Sequence, residues 1–101
     1  MRMMAMACWM AAACVQAAPI ETGRRLVATC AACHGTDGAG TGSVLPRLAG
    51  QNKDALLASL REFKAGTRAG TVMPQLAKGY TDEQLQQMAA FLAAQPAAGR
   101  P

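Results

Sequence analysis

Cys30-Ala31-Ala32-Cys33-His34 constrains this chain more than any other stretch. Two thiols stand three residues apart, and the only histidine among 101 residues follows directly behind them. On one helical turn these side chains gather strong donors for a borderline or soft metal within a single pentapeptide. The cluster has to be a redox dithiol, part of a metal site, or the point where a larger group is attached. What the rest of the chain can offer decides among the three.

The first residues offer nothing to that choice. Arg2 is the lone charge before a run of Met, Ala, Cys and Trp that reaches Val15, and Val15-Gln16-Ala17 has the small residues of an export cleavage site. The run is shorter than a helix needs to cross a bilayer. Residues 1–17 therefore read as a cleaved signal peptide and residues 18–101 as one mature domain. That predicts a periplasmic protein without stable membrane insertion. The competing readings are an uncleaved anchor helix and lipid attachment at Cys14. The second lacks the usual large aliphatic residue three before the cysteine.

Without the leader, Cys8, Cys14, Trp9 and five of the seven methionines are gone, leaving Met73 and Met88. Nine Lys and Arg then face six Asp and Glu. The excess is small and dispersed, with no basic run interleaved with aromatics, so no nucleic-acid partner is expected. A domain this short buries little surface and usually needs a staple. A Cys30–Cys33 disulfide would close a tiny ring and restrain almost nothing. A large apolar group held covalently would solve the core problem directly.

The patterning is helical throughout. Residues 21–32 have helical character, with Leu26 and Val27 as the larger apolar side chains. Residues 35–42 (G-T-D-G-A-G-T-G) are loop chemistry. Asn52 can cap a second helix whose Leu56, Leu57, Leu60 and Phe63 share one face, and Gly66 can end it. A loop is expected over 67–80. Thr81-Asp82-Glu83-Gln84 is a capping-box pattern, opening a third helix with Leu85, Met88, Ala89 and Leu92 on its buried stripe. Pro96 stops that helix, leaving 97–101 as a frayed tail. No run alternates as a strand would.

A structural zinc needs four Cys or His ligands, and the mature chain owns three; carboxylates or a second chain would have to complete the site. A thioredoxin-like dithiol expects a βαβ context, which the helical pattern denies. C-x-x-C-H is the attachment signature of c-type haem. On one turn the two sulfurs match the separation of the two haem vinyl groups, and the next residue brings an imidazole under the ring. Cys30 and Cys33 are thus the expected covalent attachment points, and His34 the expected proximal ligand of the iron.

A distal ligand is then the open question. Met88 falls on the buried stripe of the third helix and is explained as gap-filling core. Met73 lies in Thr71-Val72-Met73-Pro74, where a loop can swing it against a ring face. With an iron in need of a sixth ligand, Met73 is the candidate; an ordinary apolar loop anchor is its rival reading.

These residues resemble a class I c-type cytochrome over essentially all of the mature chain. Cys30, Cys33 and His34 match the attachment site, Pro46 in L-P-R-L matches the proline after the haem loop, Met73 the distal ligand, and Phe91 the aromatic of the C-terminal helix. The resemblance implies an all-α fold: a small cytochrome c domain of three to four helices with long loops around one covalent haem c. It also implies that the Pro46 carbonyl accepts the Nδ1–H of His34, although a simple loop turn explains Pro46 as well. T-V-M-P-Q-L-A-K-G-Y-T-D-E-Q and P-R-L-A-G-Q are similar to the cytochrome subunit of flavocytochrome c sulfide dehydrogenase. Some such subunits carry two haem domains; this chain has room for one.

The resemblance implies electron transport: a haem with both faces occupied passes electrons and does no substrate chemistry of its own. The implied partners are an FAD-containing flavoprotein that oxidises sulfide and a downstream electron acceptor. The alternatives are a free-standing periplasmic carrier of another respiratory or photosynthetic chain, and a ligand-binding haem protein in which Met73 is displaced. Arg47, Lys53, Arg68 and Lys78 are candidates for a docking ring or ordinary surface charge. Tyr80 is either a haem-propionate partner or a packing residue.

Overall fold

The computed structural model describes residues 19–42 and 45–97. The signal-peptide reading of residues 1–17 lies outside them, as does most of the expected tail. Helices α1 (Pro19–Val27), α2 (Ala31–His34), α3 (Lys53–Ala65), α4 (Met73–Ala77) and α5 (Asp82–Ala93) follow in order. A single 3-10 turn over Ala28–Cys30 joins α1 to α2, so the two form one N-terminal helical run that extends through the cysteine motif. No strand occurs among the described residues. The all-α expectation is met.

The helix ends follow from their caps. Asn52 Oδ1 accepts from the Ala55 amide at 3.0 Å and starts α3. Gly66 ends it in the left-handed conformation (φ 78°), with its amide returned to the last turn. The Thr81–Gln84 capping box is complete: Gln84 N–H donates to Thr81 Oγ1 at 3.1 Å and Thr81 N–H to Gln84 Oε1 at 2.9 Å. Helix α5 ends at Ala93, ahead of Pro96, whose ring disfavours helical geometry at Gln95.

The core forms where α1 and α3 pack on α5. Leu85, Met88, Ala89, Phe91 and Leu92 from α5 meet Val27 from α1 and Leu56 and Leu57 from α3. Helix α1 crosses α5 at a glycine: a Cβ on Gly23 would lie 2.3 Å from the Gln87 carbonyl oxygen. Phe91, the expected C-terminal aromatic, is buried at that crossing, with the Arg24 guanidinium 5.8 Å above its ring.

Two segments differ from expectation. The loop predicted over 67–80 contains α4, because Met73 and Pro74 sit in a first turn where a missing proline N–H costs nothing. Ala97, expected in a free tail, lies against the backbone of Gly50, where any side chain would collide with it.

Candidate functional site

Cys30, Cys33 and His34 occupy the end of the N-terminal helical run, so the motif's three donors project from consecutive turns. Cys33 is exposed and Cys30 half-buried, both as free thiols. Burial pushes the Cys30 thiol above its ordinary pKa, a shift that the neighbouring Thr29 hydrogen bond only partly opposes. A redox dithiol requires the opposite, a stabilised thiolate.

His34 is buried, and its Nδ1 lies 2.7 Å from the Pro46 carbonyl oxygen. A carbonyl only accepts, so Nδ1 carries the proton and Nε2 keeps its lone pair for a metal. The glycine-rich loop makes this contact possible. Gly40 N–H donates to His34 O at 2.7 Å, and Gly38 O accepts from Leu48 and Ala49 at 2.9 and 3.1 Å. Beyond them Gly50 N–H donates to Leu92 O at 2.9 Å, and the Gln51 side-chain amide donates to the Arg47 carbonyl. Pro46 therefore hangs between two pinned ends. Read from sequence, residues 35–42 had only turn chemistry; the structure makes them the cradle that aims the histidine. Gly35 (φ 84°, ψ 164°) holds backbone angles essentially restricted to glycine, and a Cβ there would lie 2.3 Å from the Gly40 oxygen.

Met73 opens α4, whose first turn closes on the Val72 carbonyl through Gln75 and Leu76 amides at 3.0 and 3.1 Å. Ala77, only 2 % exposed, anchors α4 against the body of the protein. The Lys64 ammonium donates to the Tyr80 carbonyl and ties the end of that segment to α3. Tyr80 is half-buried against the core, with its hydroxyl 3.0 Å from Thr29 Oγ1.

Three cavities, of about 270, 170 and 30 Å3, have both His34 and Met73 in their walls. The largest reaches α3 at Leu60 and Phe63; the second holds Cys30 and Cys33; the smallest touches Met88 from below. Met88 is 2 % exposed and belongs to the core, as its helical register predicts. Leu45, Val72 and Leu76 leave apolar surface open beside the cysteines. Sequence reasoning missed Ser59, Gln51 and the half-exposed Arg68 as wall residues; Phe63, on the apolar face of α3, carried the only signal.

An apolar cavity shared by a pre-oriented imidazole, a thioether and a pair of thiols on one turn is a binding site for an attached haem, and the all-α scaffold around it is that of a haem-bearing electron carrier. The Cytochrome c family model matches residues 20–95, and the chain belongs to that family. Its cofactor is covalent haem c, and its class of function is electron transfer. The donor set fits that group: thiols for the tether, a committed Nδ1–H, and a largely apolar wall.

The chain is 42% identical over 69 residues to the cytochrome subunit of sulfide dehydrogenase from Chlorobaculum tepidum, covering 68% of this chain and 62% of that one. It is 37% identical over 76 residues to cytochrome c-554(548) from Halomonas halodenitrificans, covering 72% of this chain and 92% of the relative. Among solved structures, reduced cytochrome c4 from Pseudomonas stutzeri superposes with a TM-score of 0.72 at 34% identity, over 79% of this chain and 47% of that one. The chain thus spans about three-fifths of the sulfide dehydrogenase subunit and about half of the cytochrome c4 chain. Among the described residues no helix is long and apolar enough to cross a membrane.

Proposed function

We propose that this protein is a periplasmic haem c carrier that accepts electrons one at a time from a flavoprotein sulfide dehydrogenase. Residues 1–17 serve as its export signal and residues 18–101 as a single haem domain. The observation that carries the reading is the 42% identity over 69 residues with a sulfide dehydrogenase cytochrome subunit.

The residues divide the work. Cys30 and Cys33 tether the haem through thioethers. His34 offers Nε2 to the iron, because its Nδ1–H is given to Pro46. Met73 would offer its thioether as the second iron ligand, and soft sulfur would favour the ferrous state more than a second histidine does. The apolar wall keeps water away and disfavours the extra ferric charge. The haem would supply one-electron chemistry, and with His34 and Met73 both held to the iron the protein would leave oxygen or peroxide no open seat. The open apolar surface at Leu45, Val72 and Leu76 is where a partner would approach, with Lys53 and Lys78 exposed as candidate steering charges.

A free-standing carrier is the second reading, favoured by the 92% coverage of cytochrome c-554(548). The test is to purify the holoprotein with a candidate FAD-containing partner, add sulfide anaerobically, and follow reduction of the haem band. Co-elution and sulfide-driven reduction support the subunit reading. Isolation as a monomer that the flavoprotein fails to reduce removes it and leaves the free carrier.

A further inference from the structure

Among the described residues, Arg68 is the only Lys, Arg, Asp or Glu in the walls of the three cavities. Its position is built by two α3 residues one turn apart that also line the largest cavity. Arg68 Nη1 donates to Ser59 Oγ at 2.8 Å, and the guanidinium carbon lies 5.0 Å from the centre of the Phe63 ring. The nearest protein anion, the half-exposed Glu62 carboxylate, is 3.9 Å away, a loose solvent-screened pair. A guanidinium has five donors in a fixed fork that suits carboxylates, and Ser59 takes one of them. Stacking on Phe63 limits the planes the fork can adopt.

The haem brings two carboxylates into this otherwise apolar space. We propose that Arg68, held by Ser59 and Phe63, pairs with a propionate carboxylate of the bound haem and raises the midpoint potential of the iron. A fixed cation near the iron disfavours the ferric charge, and neutralising the propionate removes an anion that would favour it. Arg68 is then a positioning and potential-setting residue, withdrawn from the docking ring that its sequence position suggested. The inference rests on the haem filling this cavity and is independent of which protein donates the electrons.

The test uses purified holoprotein of wild type, Arg68→Gln, Arg68→Lys and Ser59→Ala. Each is titrated spectroelectrochemically, and the methionine-to-iron charge-transfer band reports ligation. The expected result is a lower potential for Arg68→Gln with the band retained. Arg68→Lys should recover most of the difference, and Ser59→Ala should shift less in the same direction. A wild-type potential in Arg68→Gln overturns the proposal, even if its thermal stability drops. So does a lowered potential with the band lost, because the shift then belongs to the axial ligand. If Arg68→Gln yields no holoprotein, wild-type potentials in both Arg68→Lys and Ser59→Ala overturn it as well.

Discussion

Nδ1 of His34 and the carbonyl oxygen of Pro46 meet at 2.7 Å across a separation of twelve residues. His34 ends α2, whereas Pro46 belongs to no regular element; the loop between them is folded back by Gly35, Gly38 and Gly40. Gly35→Ala should therefore act on the histidine without touching it. The substitution forces a side chain into a glycine-only conformation, at a cost of about 1–3 kcal/mol, and into the Gly40 oxygen. A pyridine haemochrome assay of the purified variant should show reduced haem incorporation, and the melting temperature of what does incorporate should fall. Full loading with unchanged stability would mean the loop does not orient His34.

Met73 and Met88 give opposite predictions although both touch the same small cavity. Met73→Ala should abolish the methionine-to-iron charge-transfer band and let carbon monoxide bind the reduced protein readily. Met88→Leu, a nearly volume-conserving change in the core, should leave the band intact and cost less than about 1.5 kcal/mol in denaturant unfolding. If the band survives Met73→Ala and fails in Met88→Leu, the distal assignment passes to α5.

Much of this organisation was legible in the sequence because its signals are local. Thr81 and Gln84 satisfy each other within one turn, and Asn52 and Gly66 bracket α3 by side-chain and backbone chemistry that needs no tertiary partner. Cys30, Cys33 and His34 carry their meaning in spacing alone. The short helix α4 was not legible: five residues with a proline give little periodicity, and the segment is held by Ala77 burial and the distant Lys64–Tyr80 contact. The contacts of Arg68 were not legible for the same reason. Its side chain is half-exposed at the cavity rim, held by Ser59 and Phe63, nine and five residues earlier, and composition sees only another surface charge.

Gly23 makes the crossing of α1 and α5 possible, and the crossing buries Phe91. A Cβ at Gly23 would lie 2.3 Å from Gln87 O and 2.8 Å from Phe91 Cβ, and neither a helix carbonyl nor a Cβ can swing aside. Alanine has the better helix propensity, so on an isolated helix Gly23→Ala would stabilise by about 1 kcal/mol. Here overpacking should win, with a net loss of about 1–3 kcal/mol in chemical denaturation of the holoprotein. A stabilised Gly23→Ala variant would show that the two helices are not in close contact.

Asp82 couples α5 to α3 by accepting from Arg61 Nε and Nη2, at 2.6 and 2.8 Å, and also accepts from Gln86 at 2.8 Å. These donors, Arg61 first, hold its carboxyl well below the usual carboxylate range. In the unfolded chain the same group titrates near a pKa of about 3.9. The unfolded state therefore takes up the proton first as the solution is acidified. The stabilisation from Asp82 is complete above about pH 5 and is lost progressively as pH falls through about 4 and below. All three side chains are solvent-exposed, so the effect is modest and weakens in high salt. Asp82→Asn should melt below wild type at neutral pH, and the gap should close as thermal scans move from about pH 6 to pH 3. A gap that stays constant across that range would show that the carboxylate charge contributes nothing and that Asp82 acts only through its shape.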